Sequence, residues 1–180
     1  PYLAEMTLGA LLSLRLGLPR YAAGQRACAW QPGTFRPLAG ATLLVVGVGA
    51  VGGEVATRAR ALGMRVLGIR ASGLPHPAVE EMFPPEALLA LLPRAEVLSL
   101  NLRPGPSTRG LVDAAALARL PAGAIVLNAS RGAVLDAGAL GDALRAGRLG
   151  GAWLDVFDVE PLPPDSSLWA CPNLLITPHC

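Results

Sequence analysis

The hydrophobic pattern of the chain alternates between two kinds of segment. Short apolar runs read as strands buried on both faces: Leu43 to Val46, Arg65 to Ile69, Glu96 to Leu102, Ala124 to Asn128, Ala152 to Val156 and Leu174 to Thr177. Between them lie stretches with helical character: Ala50 to Leu62, Pro85 to Leu92, Asp113 to Leu120 and Asp136 to Ala146. Asp113 is placed to cap the third of these, and Gly147 to close the fourth. Residues 71–85 are rich in proline and read as loop. Strands alternating with helices predict a parallel, doubly wound α/β sheet.

The N-terminal segment has a different pattern. Leu3, Met6, Leu8, Leu11, Leu12, Leu14, Leu16 and Leu18 crowd residues 2–18 so densely that both faces of a helix are apolar. Such a helix is buried, in a core or against another subunit, and Pro19 is expected to end or interrupt it. Residues 20–41 read as a connector in which Trp30 and Phe35 stand among prolines and glycines, with Trp30 expected to act as an anchoring aromatic. Nothing marks an internal boundary, so residues 1–180 read as one domain.

One junction stands out within this pattern. The strand at Leu43 to Val46 runs directly into Gly47, Gly49 and Gly52, spaced G-x-G-x-x-G, and Ala50 and Val51 open the following helix. In that setting the first glycine permits a tight turn. The second lets backbone approach a pyrophosphate, and the third lets helix pack closely on strand. Helix N–H groups and the positive end of the helix dipole then face the phosphates. The predicted fold is therefore a Rossmann-type dinucleotide-binding domain. In such sheets ligands bind beyond the carboxyl ends of the strands, which directs attention to Arg70 and Ser72, Asn101 to Pro106, Ala129 to Gly132, Asp155 to Pro161, and Pro178 with His179.

Composition narrows the classes of function. A 52% hydrophobic and 16% charged chain is not disordered. No apolar run approaches a membrane span, since Leu8 to Leu18 is broken by Gly9, Ser13, Arg15 and Gly17. No signal peptide is evident, and the chain starts at Pro1. The net charge of +2 is carried by scattered arginines, without a single lysine, so nucleic-acid binding gains little support. Cys28, Cys171 and Cys180 are odd in number and widely spaced. They argue against a disulfide framework or a zinc site and suit a reducing cytoplasm.

Four motifs occur in order: LVVGVGAVGGEVA, NASRGAVLD, LDVFDVEPLP and NLLITPH. Together they resemble the D-isomer-specific 2-hydroxyacid dehydrogenases over essentially all of residues 3–179, and the run DSSLWACPNLLITPH is most similar to the glyoxylate/hydroxypyruvate reductase-like branch. The resemblance implies that Arg131 pairs with the substrate carboxylate and polarises its carbonyl, a task suited to a planar guanidinium. It implies that His179 is the general acid in reduction and the base in oxidation. It also implies that Glu160 orients the imidazole and favours its charged form. Asp155 matches the aspartate beside the nicotinamide carboxamide, although a cap or turn role after the strand is open to it as well. Asn128, Ala129 and Thr108 match supporting contacts. His76, in LPHPA, reads as an ordinary surface residue.

Two positions depart from the family pattern. Arg70 stands eighteen residues past Gly52, where NAD-preferring members carry an acid for the ribose 2′-hydroxyl. Arg70, helped by Ser72, could instead pair with a 2′-phosphate, so NADP(H) is expected over NAD(H), which stays possible. Arg103 stands where members often have proline; it either alters packing on the nicotinamide side or points outward.

The family builds its substrate domain from segments flanking this one, and the sequence reads as the cofactor domain alone. The expected reaction interconverts a small 2-oxo acid, such as glyoxylate or hydroxypyruvate, with its D-2-hydroxy acid. The N-terminal helix and connector resemble the family's dimerising region, which implies a homodimer. The competing reading is a non-catalytic dinucleotide-sensing or corepressor-like module. Another Rossmann class, such as a methyltransferase, would not require NASRG, DVFDVEP and TPH together.

Overall fold

A computed structural model describes residues 2–34 and 36–180; Phe35 lies outside the described residues. Seven strands form one parallel sheet: β1 (Thr42–Val46), β2 (Arg65–Ile69), β3 (Glu81–Phe83), β4 (Val97–Leu100), β5 (Ile125–Asn128), β6 (Gly151–Leu154) and β7 (Leu174–Ile176), in the order β3-β2-β1-β4-β5-β6-β7. The strands are parallel at every pairing. The sheet has helices on both faces: α1 (Tyr2–Arg15) and α3 (Ala50–Ala61) on one, and α4 (Leu88–Leu91), α5 (Ala114–Arg119) and α6 (Ala137–Arg145) on the other, while α2 (Leu18–Arg26) follows α1. The doubly wound Rossmann-type architecture expected from the sequence is the one found.

The side-chain alternation of a strand divides the core in two. Leu43 and Val45 point into a cluster with Leu8, Leu11, Val55 and Ala59, while Leu44 and Val46 point into another with Leu91, Leu117, Leu140 and Leu144. Both faces of β1 are therefore apolar, the signature of a central parallel strand. Asp113 and Asp136 cap α5 and α6 by accepting hydrogen bonds from the Ala116 and Ala139 amides at 2.8 and 2.9 Å.

Several expectations need correction. The helix expected over residues 2–18 stops at Arg15, and Gly17, at φ +68°, takes the left-handed conformation that ends it. Pro19 does not break this helix; it sits in the first turn of α2, where its missing N–H costs nothing. The connector thus contains a second helix that the pattern did not reveal. Trp30 is 94% exposed and anchors nothing within the described residues. The connector is held instead by Arg15, whose side chain donates to Arg36 O at 3.0 Å and Pro37 O at 3.2 Å and pairs with Glu96 at 3.3 Å. Strand β3 lies in the stretch read as loop. Three residues between prolines at a sheet edge are too short to show periodicity. His76 is no free surface group. It is half-buried against α3, where a Cβ on Gly53 would lie 2.8 Å from its Nε2, and its Nδ1 accepts from the Ala78 amide at 3.3 Å.

Candidate functional site

The sheet reverses its winding between β1 and β4, and the Gly-rich turn occupies that switch point. Gly47 has φ +94°, and a Cβ there would lie 2.5 Å from Asn101 O, so the chain ends of β1 and β4 touch only because the side chain is absent. A Cβ on Gly52 would lie 2.2 Å from Gly47 O, which fixes the close seat of α3 against the turn. Gly49, the N-cap of α3, meets nothing within 4 Å, and the residue is exposed. Of the three glycines, Gly47 and Gly52 have their Cβ space filled by the protein's own backbone, and Gly49 faces open space at the helix N-terminus, followed by Ala50 and Val51.

The residues around the turn fit a dinucleotide. Asn101, just past β4, donates from its amide nitrogen to Ser99 Oγ at 2.9 Å, while its buried Oδ1 has no partner among the described residues. A buried carbonyl oxygen left unpaired is costly unless a ligand donor supplies the bond. Arg70 follows β2 on the same side of the sheet. Its only hydrogen bond from the side chain is a long one, 3.4 Å to Leu74 O, and it has no acidic partner among the described residues. Ser72, also exposed, accepts from the Leu74 amide at 3.4 Å.

Beyond β5, Asn128 is 1% exposed and spends its side chain on its own loop. Its Oδ1 accepts from the Ser130 amide at 3.0 Å and the Ser130 hydroxyl at 2.7 Å, and its amide nitrogen donates to Arg131 O at 3.1 Å. These bonds shape the turn that carries half-buried Ala129 and exposed Arg131. The Arg131 guanidinium donates from Nη1 to Ser130 O at 2.6 Å, and the residue lines a cavity of about 300 Å³ with Thr108 and Arg109. The Thr108 hydroxyl accepts from the Gly105 amide at 3.1 Å and donates to Gly105 O at 2.9 Å, fixing the loop after β4. Arg103, in that loop, is exposed.

Gly132 brings the Arg131 loop against the loop after β6, where a Cβ would lie 2.1 Å from the Phe157 carbonyl carbon. That second loop carries Glu160. One carboxylate oxygen accepts from the Phe157 amide at 2.8 Å, and the other lies 2.6 Å from His179 Nδ1. The hydrogen bond to His179, the Phe157 amide and the nearby Arg131 charge hold the Glu160 carboxyl below the ordinary glutamate range. An ionised carboxylate only accepts, so His179 carries its proton on Nδ1 and turns Nε2 away from Glu160. Arg131, Glu160 and His179 come from three different strand ends, and the fold gathers them.

Asp155 is 2% exposed. Its carboxylate accepts from the Thr177 hydroxyl and, through both oxygens, from the Cys180 amide at 3.2 Å. Sequence reasoning passed over three residues that support this arrangement, Ser99, Trp153 and Thr177. The available signal was a polar residue inside or at the end of an apolar strand, which buried Ser99 and half-buried Thr177 both provide.

Comparison with known proteins agrees with this geometry. The family described as D-isomer specific 2-hydroxyacid dehydrogenase, NAD binding domain, matches residues 8–180. An (S)-sulfolactate dehydrogenase of Chromohalobacter salexigens is 37% identical, over 98% of this chain and 58% of its own length. A D-isomer specific 2-hydroxyacid dehydrogenase of Xanthobacter autotrophicus Py2, solved in complex with NADPH and MES, superposes with a TM-score of 0.89 at 37% identity, over 99% of this chain and 76% of that one. The NADPH-dependent glyoxylate/hydroxypyruvate reductase of Sinorhizobium meliloti gives a TM-score of 0.90 at 31% identity, over 98% and 90%. The chain spans about 58% of the length of the sulfolactate dehydrogenase that it matches. The Gly47–Gly52 turn, the gathered Arg131, Glu160 and His179, and this likeness place the chain in the D-isomer specific 2-hydroxyacid dehydrogenase family, as an NAD(P)-binding domain.

Proposed function

We propose that the protein carrying this chain reduces a small 2-oxo acid, such as glyoxylate or hydroxypyruvate, to its D-2-hydroxy acid with NADP(H). The observation that carries the reading is the Glu160–His179 pair at 2.6 Å, joined to Arg131 through the Gly132–Phe157 contact. Gly47, Gly49, Ala50, Val51 and Gly52 would hold the dinucleotide, with Asp155 on its carboxamide side, and when bound it would supply the hydride for the substrate carbon. Arg131 binds the substrate carboxylate through its outer N–H groups and polarises the adjacent carbonyl. His179 gives the proton on Nε2 to the carbonyl oxygen, while Nδ1–H stays bonded to Glu160, so the ring keeps its orientation through the cycle. Asn128, Ser130 and Thr108 hold the loops from which these groups act.

Arg70, at the end of β2 with only a long bond to Leu74 O among the described residues, supports NADP(H) over NAD(H), because a guanidinium pairs with a 2′-phosphate that a carboxylate would repel. Exposed Tyr2, Leu18 and Trp30, all in or beside the first two helices, support a homodimer formed through this region. No helix of the described residues is long and apolar enough to cross a membrane, and the three cysteines are free, which supports a cytoplasmic setting. The test is loss of nicotinamide absorbance when the natural protein is mixed with NADPH and glyoxylate or hydroxypyruvate. Tight NADPH binding with no turnover of any small 2-oxo acid would favour the sensing module instead.

A further inference from the structure

His179 sits in an unfavourable backbone conformation. Its φ is +55°, in the left-handed region that a β-carbon disfavours. Such a residue keeps its place only when its surroundings fix it. The ring is held by Glu160, but the backbone is held elsewhere. The Cys180 amide, one residue after His179, donates to both oxygens of Asp155 at 3.2 Å. Thr177, two residues before it, donates its hydroxyl proton to the same carboxylate. Pro178, between Thr177 and His179, restricts the conformations of that stretch further.

The direction of the next bond is fixed by chemistry. The Trp153 indole can only donate, and its Nε1 lies 3.0 Å from Thr177 Oγ1. Thr177 therefore accepts from Trp153 and has one proton left, which goes to Asp155. Trp153 itself is 1% exposed, on β6 two residues before Asp155, so the donor is rigid. Each bond polarises the next along a chain whose two ends, Trp153 and Asp155, are buried and whose middle member, Thr177, is half-buried.

We infer that Trp153, Thr177 and Asp155 form a directed hydrogen-bond relay that positions the backbone of His179, with Thr177 and Trp153 as positioning residues. The inference rests on the acid–base role proposed for His179. The relay's consequence is angular: it sets where Nε2 points once Glu160 has fixed Nδ1. Losing it releases the flanks of His179 and lets the ring turn away from Glu160, while the dinucleotide turn at Gly47 to Gly52 is untouched.

The experiment compares Thr177→Val, Thr177→Ser and Trp153→Phe in the natural protein by two readouts. The first is the imidazole ¹⁵N signature of His179. The sequence has only two histidines, and His76→Gln assigns them. The second is the separation of kcat from KM. Wild type and Thr177→Ser should show the Nδ1–H tautomer and full kcat. Thr177→Val should show averaged ring nitrogens and a kcat lower by about tenfold or more, as expected for a misplaced reacting group, with NADPH affinity unchanged. Trp153→Phe should shift both readouts in the same direction by less, and it serves as the test if Thr177→Val fails to fold. A wild-type ring signature in both Thr177→Val and Trp153→Phe overturns the relay, as does equal impairment in Thr177→Ser and Thr177→Val. If wild type reduces no 2-oxo acid, the functional reading fails, and the ring signature alone decides the relay.

Discussion

Glu160 and His179 lie nineteen residues apart in sequence and 2.6 Å apart in space, carboxylate oxygen to Nδ1. The hydrogen bond from His179 is the largest influence holding the Glu160 carboxyl below its ordinary range. A group whose pKa is depressed by folding stabilises the folded state above its unfolded pKa, and that contribution is lost as pH falls through the folded pKa. Wild type should therefore exceed Glu160→Gln in melting temperature near neutral pH, and the gap should close as the solution is acidified below the usual glutamate range. Thermal melts of both proteins across that interval check the sign; a gap that widens in acid contradicts it.

The same pair bears on rate. Glu160→Gln keeps the shape of the side chain but removes the carboxylate charge that accepts the Nδ1 hydrogen bond and holds the ring in place. We expect kcat to fall by roughly 10²-fold, within the range contributed by positioned acid–base groups. Steady-state kinetics should show little change in NADPH affinity.

The glycines of the turn separate folding from binding. Gly52→Ala would place a Cβ 2.2 Å from Gly47 O, and Gly132→Ala one 2.1 Å from the Phe157 carbonyl carbon. Each contact is with backbone that cannot swing aside, so each variant should lose about 1–3 kcal/mol of stability or more. Gly49→Ala meets nothing within 4 Å. It should melt like wild type yet bind NADPH at least about tenfold more weakly, because the methyl group occupies the space for the pyrophosphate. Denaturant titration beside a fluorescence binding curve distinguishes the two classes. Equal binding by Gly49→Ala and wild type would remove the turn from the cofactor site.

Cofactor choice should reside in Arg70. Its guanidinium has one long bond, to Leu74 O at 3.4 Å, so little of it is committed to the fold. Arg70→Glu should reverse the preference from NADPH toward NADH with a melting temperature near that of wild type. The ratio of kcat/KM for the two cofactors measures this directly, and a wild-type enzyme that already prefers NADH counts against the assignment.

Much of this was legible in the sequence because the central strands are uniformly apolar and each ends in polar residues. β2 matches the expected bounds, and the Asp113 cap forms as read, while the Asp136 cap on α6 was not anticipated. Edge and connector elements were not legible. β3 is three residues long, and α2 follows a left-handed glycine within a segment whose prolines suggest loop. Trp30 misled because a large aromatic is usually buried, whereas its exposure depends on what packs over it. Motif order singled out Arg131, Glu160 and His179, while the residues that hydrogen-bond around them were hidden. The bonds from Trp153 to Thr177 to Asp155 depend on side-chain direction across neighbouring strands, and that from Asn128 to Ser130 on the shape of the turn after β5, neither of which spacing along one strand encodes.

The central claim is that His179 is the proton donor in a site whose cofactor half stands independently of it. The most direct measurement is 2-oxo-acid reduction by His179→Ala in the natural protein, followed as loss of nicotinamide absorbance beside a titration of NADPH binding. Reduction should fall by at least about 10²-fold while NADPH binds as in wild type; turnover that survives the substitution would contradict the role of His179.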